Sequence, residues 1–360
     1  MKIFLVTIFW FLISFDVYKK KENHAAITPS LEKGLFEADE IFEISLKGNT
    51  RELLNDRSEK SKYHAMIISY KKNDGSGINI PVEMKTRGHF RKLKENCTYP
   101  PLLIRFFPNS LHRSSIFSDQ SRLKLVMPCA GDDYIVREWL AYKIYNLVTP
   151  QSFRVRLVKV KLEDAKNKKP INAFYGLLLE EEQQMAARNK ATLTEQPLRP
   201  NQTQQDASLR TAVFEYLIGN TDWSVEYLHN IKLIKTTATS LPVTVPYDFD
   251  HSGIVNAPYA RPPEELLLKS VVERRYRGYC ITDLSVFEPT IALYNKVKKD
   301  IYDLYANCTY LDARSIKAIL KFLDGFYQTI NSQKAWQKEF PYPCDKNGTG
   351  NIVIKGLKED

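Results

Sequence analysis

The chain has 360 residues, 43% of them apolar and 12% aromatic, enough to bury a full core and to exclude a disordered tail. Its net charge of +10 favours anionic partners such as nucleotides, phosphorylated metabolites, nucleic acid or acidic lipid. The basic residues are spread along the chain, with short runs at Lys19–Lys21 and Lys166–Lys169. With no zinc-finger spacing, RNP-like sequence or long basic helix, specific nucleic-acid binding is not expected.

The N-terminus opens with Met1-Lys2 and an apolar run, Ile3 to Phe15, broken by Thr7 and Ser14. About a dozen residues is short for a span of about twenty and fits the h-region of a secretory signal. Lys19–Lys21 follow it, and Ala25-Ala26 offers a small-residue cleavage site. Residues 1–25 are therefore read as a signal peptide or N-terminal anchor, with export to the periplasm, cell envelope or medium and membrane association through an anchor. The five cysteines, Cys97, Cys129, Cys280, Cys308 and Cys344, contain no CxxC pair; after export they allow up to two disulfides and leave one thiol over. Sequons at Asn96, Asn201, Asn307 and Asn347 matter only in a eukaryotic secretory pathway.

Beyond the leader, strands are predicted at Tyr63 to Lys71 and Ile78 to Arg87 around an Asn73–Gly77 turn. Further strands follow at Leu102 to Phe107, Leu123 to Met127, Phe153 to Leu162 and Ala173 to Leu179. One helix interrupts them, Asp132 to Leu147, with Asp132 and Asp133 at its N-terminus. A polar connector, Lys190 to Gln205, leads to a helix from Ser208 to Ile218 with Gly219 as its stop. Ile231 to Lys235 and Val243 to Tyr247 are predicted to pair as a hairpin, and two longer helices, Leu284 to Tyr305 and Leu311 to Ile330, complete the chain.

The chemistry gathers at that hairpin. Pairing its strands returns the chain from Asn230 to a point beside Asp248, with Asp222 a short loop upstream. Asp248 and Asp250 lie two apart, so an extended backbone points both carboxylates to one face. Oxygen ligands of this kind suit magnesium, which shares its coordination with phosphate, and so point to phosphoryl transfer. Asp and Asn also cap turns, and a metal-dependent phosphohydrolase would use the same Asp cluster.

Together with Met84-Lys85-Thr86-Arg87-Gly88-His89, Ser121-Arg122-Leu123-Lys124-Leu125, Arg137-Glu138-Trp139-Leu140-Ala141 and Phe174-Tyr175-Gly176-Leu177-Leu178-Leu179-Glu180, the motifs Asn220-Thr221-Asp222, His229-Asn230 and Tyr247-Asp248-Phe249-Asp250 run in an order that resembles the spore-coat CotH kinase family. The resemblance implies an α+β, two-lobed protein-kinase-like fold. Its β-rich N-terminal lobe would span residues 38–180 and contain one helix; a mainly helical C-terminal lobe, 181–340, would carry the metal-site hairpin, with a tail at 341–360. It implies an atypical kinase moving the ATP γ-phosphate, with Mg or Mn, to a protein or glycan hydroxyl outside the cytoplasm. Lys124 would hold nucleotide phosphates and pair with Glu138, with Arg87, Gly88 and Glu180 also contacting the nucleotide. Asp222 would be the catalytic base, and Asn230, Asp248 and Asp250 the metal ligands. A kinase-like binding or structural envelope protein without catalysis is the alternative.

Three departures stand out. Asn230 follows Asp222 by eight residues where familiar kinases have about five, so Trp223 to Leu228 is expected to bulge outward. Asp248 is followed by Phe-Asp rather than Phe-Gly, and the Arg-Gly turn runs into His89-Phe90 rather than small polar residues. Tyr259 to Leu268 and the Arg-rich stretch Glu273 to Tyr279 are candidate acceptor-binding segments, or a solvated loop and helix end.

Overall fold

The computed structural model describes residues 34–166 and 173–342. The leader, most of the Lys166–Lys169 run, Cys344, the Asn347 sequon and most of the 341–360 tail lie outside them. In chain order the first elements are β1 (Phe42–Gly48), α1 (Thr50–Asn55), β2 (His64–Lys71), β3 (Gly77–Thr86), β4 (Leu102–Phe106), α2 (Ser110–Arg113) and β5 (Arg122–Val126). Then come α3 (Asp132–Val148), β6 (Val155–Asp164), β7 (Phe174–Leu179), α4 (Glu182–Arg188), β8 (Thr192–Thr194), α5 (Gln205–Ile218), β9 (Ile231–Lys235) and β10 (Val243–Pro246). Four helices end the described chain: α6 (Glu288–Lys296), α7 (Lys298–Ala306), α8 (Ala313–Ile330) and α9 (Gln333–Glu339).

Period-two alternation builds the first half. The strands pair in the order β1-β2-β3-β4-β5-β7-β6, and β6 returns to β1 to close a seven-stranded barrel. Ile44, Ile68, Ile80, Ile104, Leu125 and Val158 point into a sealed apolar interior. This overturns the expected two-lobed kinase-like fold with one helix in its first lobe. The element that makes the difference is β1, which was not predicted as a strand. Among its residues only Ile44 and Leu46 are fully buried, and the alternating Glu43, Ser45 and Lys47 hide the pattern. Yet β1 runs antiparallel to β2 and parallel to β6, and so removes both edges of what would otherwise be an open sheet. On the outside, Lys161 pairs with Glu43 at 2.6 Å and Lys47 with Glu163 at 3.3 Å. α1 and α2 add two short helices beside the predicted α3.

A second, larger core packs α3 and the outer side of β6 and β7 against α5, the hairpin β9–β10 and α6 to α8. It runs without a break from Val126 to Phe340, and all described residues belong to one compact unit. The predicted connector contributes β8, which pairs with β9 to make a three-stranded sheet with β10. The predicted helix Leu284 to Tyr305 is two helices, broken at Val297. No helix among the described residues is long and apolar enough to cross a membrane.

Candidate active site

The hairpin forms as predicted, with Ile231 opposite Pro246, and the Tyr247 N–H donates to the Asn230 carbonyl at 3.0 Å. Asn230 thus stands beside the Tyr247–Asp248 turn. Upstream, α5 stops at Gly219, whose φ of 68° a glycine adopts without the Cβ penalty. Asn220 Oδ1 then accepts the Asp222 N–H at 3.0 Å and turns the chain toward the hairpin. The extra residues between Asp222 and Asn230 do not bulge freely. Ser224 and His229 pair antiparallel through bonds of 2.9 and 3.0 Å, and Trp223 and Val225 are buried. This small hairpin absorbs the eight-residue spacing and brings Asn230 back: its Nδ2 donates to the Asp222 carbonyl at 2.8 Å and to Asp222 Oδ2 at 3.1 Å. His229 Nε2 lies 3.0 Å from Asp222 Oδ1. Both carboxylate oxygens of Asp222 are therefore oriented.

Asp248 and Asp250 meet a cation that sequence reasoning missed. Arg91, only 8% exposed, sits in a 3-10 turn just beyond Gly88. Its Nη1 donates to Glu138 Oε2 at 3.0 Å and its Nη2 to Glu138 Oε1 at 3.3 Å. The same guanidinium bonds Asp248 Oδ1, and its Nε lies 3.2 Å from Asp250 Oδ2. Glu138 is thus not paired with Lys124. With three carboxylates around one guanidinium, not all ionise easily. Burial pushes Glu138 up to about 7, with Arg91 opposing and Asp250 and Asp248 adding to the push. Asp250 is also raised by burial, whereas Arg91 and Arg87 overcome burial at Asp248 and hold it below the usual range. The Asp248 side chain is 41% exposed, so this acidic pole reaches solvent through it.

A cationic pole lies alongside. Lys124, on β5, is buried and bonds Glu182 at 3.3 Å, and Lys232, on β9, reaches the same carboxylate oxygen at 3.1 Å. The Tyr247 ring lies within 5.6 Å of the Lys124 ammonium and 5.7 Å of Lys232. Burial lowers the Lys124 pKa, and the Arg87 charge lowers it further against the pull of Glu182. The Arg87 guanidinium has no hydrogen-bond or ion-pair partner among the described residues, yet its charge acts on both Lys124 and Asp248. It therefore stands between two cations sharing one carboxylate and three carboxylates sharing one cation. Gly88, at φ 83°, makes the turn that separates Arg87 from Arg91. A Cβ there would approach only Pro101 Cγ, at 3.9 Å, so backbone conformation rather than space calls for glycine.

Other predicted residues are spent on structure. Glu180 is fully buried, clamped by Arg188 through Nε and Nη2 at 3.0 Å and by the Arg154 N–H at 2.9 Å. Arg277 donates to the carbonyls of Thr221 and Trp223, bracing the Asp222 loop from behind. Arg274 donates to the carbonyls of Tyr216 and Leu217 at the end of α5, where a cation suits the helix C-terminus. Arg261 bonds the carbonyls of Pro258 and Ala260. Phe90, 40% exposed, packs edge-on against His251 and beside Tyr259, whose hydroxyl donates to Asp250 at 2.9 Å. That aromatic wall accounts for Phe90 standing where a small residue was expected. Besides Arg91, sequence reasoning missed Lys232 and Glu182, which lie next to the predicted motifs without matching their pattern.

Among the described residues no group of three or more His, Cys, Asp or Glu side chains is arranged to hold a metal ion. Arg91 already occupies the point where Glu138, Asp248 and Asp250 converge. The remaining donors are all oxygens, from Asp248, Asn230 and Asp250. Such a set fits a hard cation that draws most of its shell from phosphate and water, as magnesium does, and does not fit a dedicated all-protein cage.

No protein-family model matches the chain, and no curated protein matches it. The CotH resemblance accordingly rests on the quoted motifs alone. A solved structure described as the crystal structure of the Golgi casein kinase aligns over 88% of this chain and 77% of its own, at 9% identity and a TM-score of 0.28. A likeness of that size carries no argument for fold or activity.

Proposed function

We propose that the chain is an exported phosphotransferase that moves the γ-phosphate of ATP, with magnesium or manganese, to a hydroxyl of a protein or glycan. The observation that carries this reading is Arg87, an uncommitted guanidinium between a cationic and an acidic pole. A polyphosphate laid across the two poles matches both: its oxygens meet Arg87, Lys124 and Lys232, and its counter-cation meets Asp248. Asn230, Asp248 and Asp250 would hold that cation, which supplies charge neutralisation on the phosphate oxygens. Asp222, fixed by His229 and Asn230, is oriented to accept a hydroxyl proton. The Cys97–Cys129 disulfide supports a site outside the cytoplasm.

A second reading, a nucleotide-binding protein without transfer, is favoured by one observation: Arg91 neutralises the carboxylates that a catalytic metal would use. Radiolabel transfer from ATP to a mixed protein and glycan acceptor pool separates the two. Phosphotransfer predicts magnesium-dependent labelling that falls by about two orders of magnitude or more in Asp222→Ala and Asp248→Asn. Labelling that survives either change sinks the assignment, and metal-dependent nucleotide binding with no labelling selects the second reading. Phosphate release without any acceptor would point to the hydrolase.

A further inference from the structure

We propose that Arg91 is the positioning residue of this site: it ties α3 to the Asp248–Asp250 segment and sets where the Asp248 carboxylate stands. Its functional consequence rests on the phosphotransfer reading; its structural one does not. Asp248 is held at φ 63°, a left-handed conformation that is unfavourable for a residue with a side chain. Such strain persists where the surroundings over-determine it. Two ties do so, both referred to α3. The Asp248 N–H donates to the Tyr142 hydroxyl at 2.8 Å, and the Asp248 side chain reaches Glu138 through Arg91. Glu138 and Tyr142 lie four residues apart, on one helix face. All three guanidinium nitrogens are engaged, by Glu138, Asp248 and Asp250, a geometry that a single ammonium cannot reproduce.

Arg91 is itself held in a rigid frame. Arg57 donates to the carbonyls of Lys92, Cys97 and Thr98, the Lys92 ammonium bonds the Ser58 carbonyl, and Cys97 is joined to Cys129 just ahead of α3. The loop that carries the guanidinium is thus fastened to the barrel on one side and to the root of α3 on the other. Arg91 anchors the acidic pole to that frame, leaving the outer face of Asp248 toward Arg87.

Amide hydrogen exchange on the full chain tests this directly, comparing wild type with Arg91→Ala, Arg91→Lys and Glu138→Gln. In Arg91→Ala, exchange across residues 247–253 is expected to rise at least about tenfold while β2 and β3 keep wild-type protection. Arg91→Lys and Glu138→Gln should fall between the two, and they carry the comparison if Arg91→Ala does not fold. In the transfer assay kcat should drop about a hundredfold in Arg91→Ala with nucleotide affinity changed less than about threefold. Unchanged exchange at 247–253, or an equal rise across the whole barrel, overturns the positioning role. If wild type transfers no phosphate, the phosphotransfer reading fails, and the exchange result still decides the role of Arg91.

Discussion

A single buried carboxyl shows how the site's surroundings tune it. Glu215, 1% exposed near the end of α5, is pushed well above the usual carboxylate range by burial. The Asn220 amide opposes the push, and the Asp222 charge adds to it. A raised folded-state value means that the native protein keeps a proton that the unfolded chain releases near its ordinary 4.5. Stability from this group is therefore fully present below that value and is lost as pH rises toward the folded one. Glu215→Gln, neutral throughout, should remove that slope: its melting temperature relative to wild type should climb between about pH 5 and pH 8. A pH-independent difference would show that Glu215 is ionised in the native state. At this scale the sequence was legible for Asp222, Asn230 and Asp248, whose neighbours along the chain already point to a shared turn. It was illegible for Arg91, since an arginine in the run His89 to Lys92 looks like any solvated cation until the fold closes over it.

Among the elements, the loop between β3 and β4 links sequence to site most directly. It has one short 3-10 turn, and its order comes from Arg57, the Lys92 ammonium and the disulfide. Cys97 and Cys129 lie 32 residues apart, so the cross-link should contribute about 3–4 kcal/mol by restricting the unfolded chain. Replacing both by Ser should lower the unfolding free energy by that amount in a urea titration, and a loss under about 1 kcal/mol would mean that Arg57 suffices. Disulfide number was legible as an upper limit but pairing was not, because pairing is set by Cα proximity. In the structure Cys97 bonds Cys129, Cys280 is also disulfide-bonded, and Cys308 is a buried free thiol. The hairpin β9–β10, α3 and α5 were legible because each is an apolar run bounded by local signals, Asp132 and Asp133 at the start of α3 and Gly219 at the end of α5. The small hairpin at Ser224–His229 was not, since its register depends on burying Trp223 and Val225 against residues far along the chain.

For the whole molecule, closure of the barrel decides the architecture, and it depends on seven residues with weak local signal. Leu46 is fully buried inside, while Lys47 points out toward Glu163. Leu46→Ala should cost about 2–5 kcal/mol in chemical denaturation, and Lys47→Ala less than about 1 kcal/mol. Equal, small effects would mean that β1 is peripheral. Local pattern could not reveal this strand's role because its partner β6 lies more than a hundred residues away; hence a β-rich lobe of a two-lobed kinase-like fold was expected where a closed barrel stands. That closure has a consequence for how the N-terminus can be processed. Cleavage near Ala25-Ala26 lies upstream of β1 and spares the ring, whereas trimming beyond Phe42 would uncover the β2 and β6 edges together. Two bare edges on one protein are a template for strand addition by a second copy, so maturation past that point would create a seed for polymers.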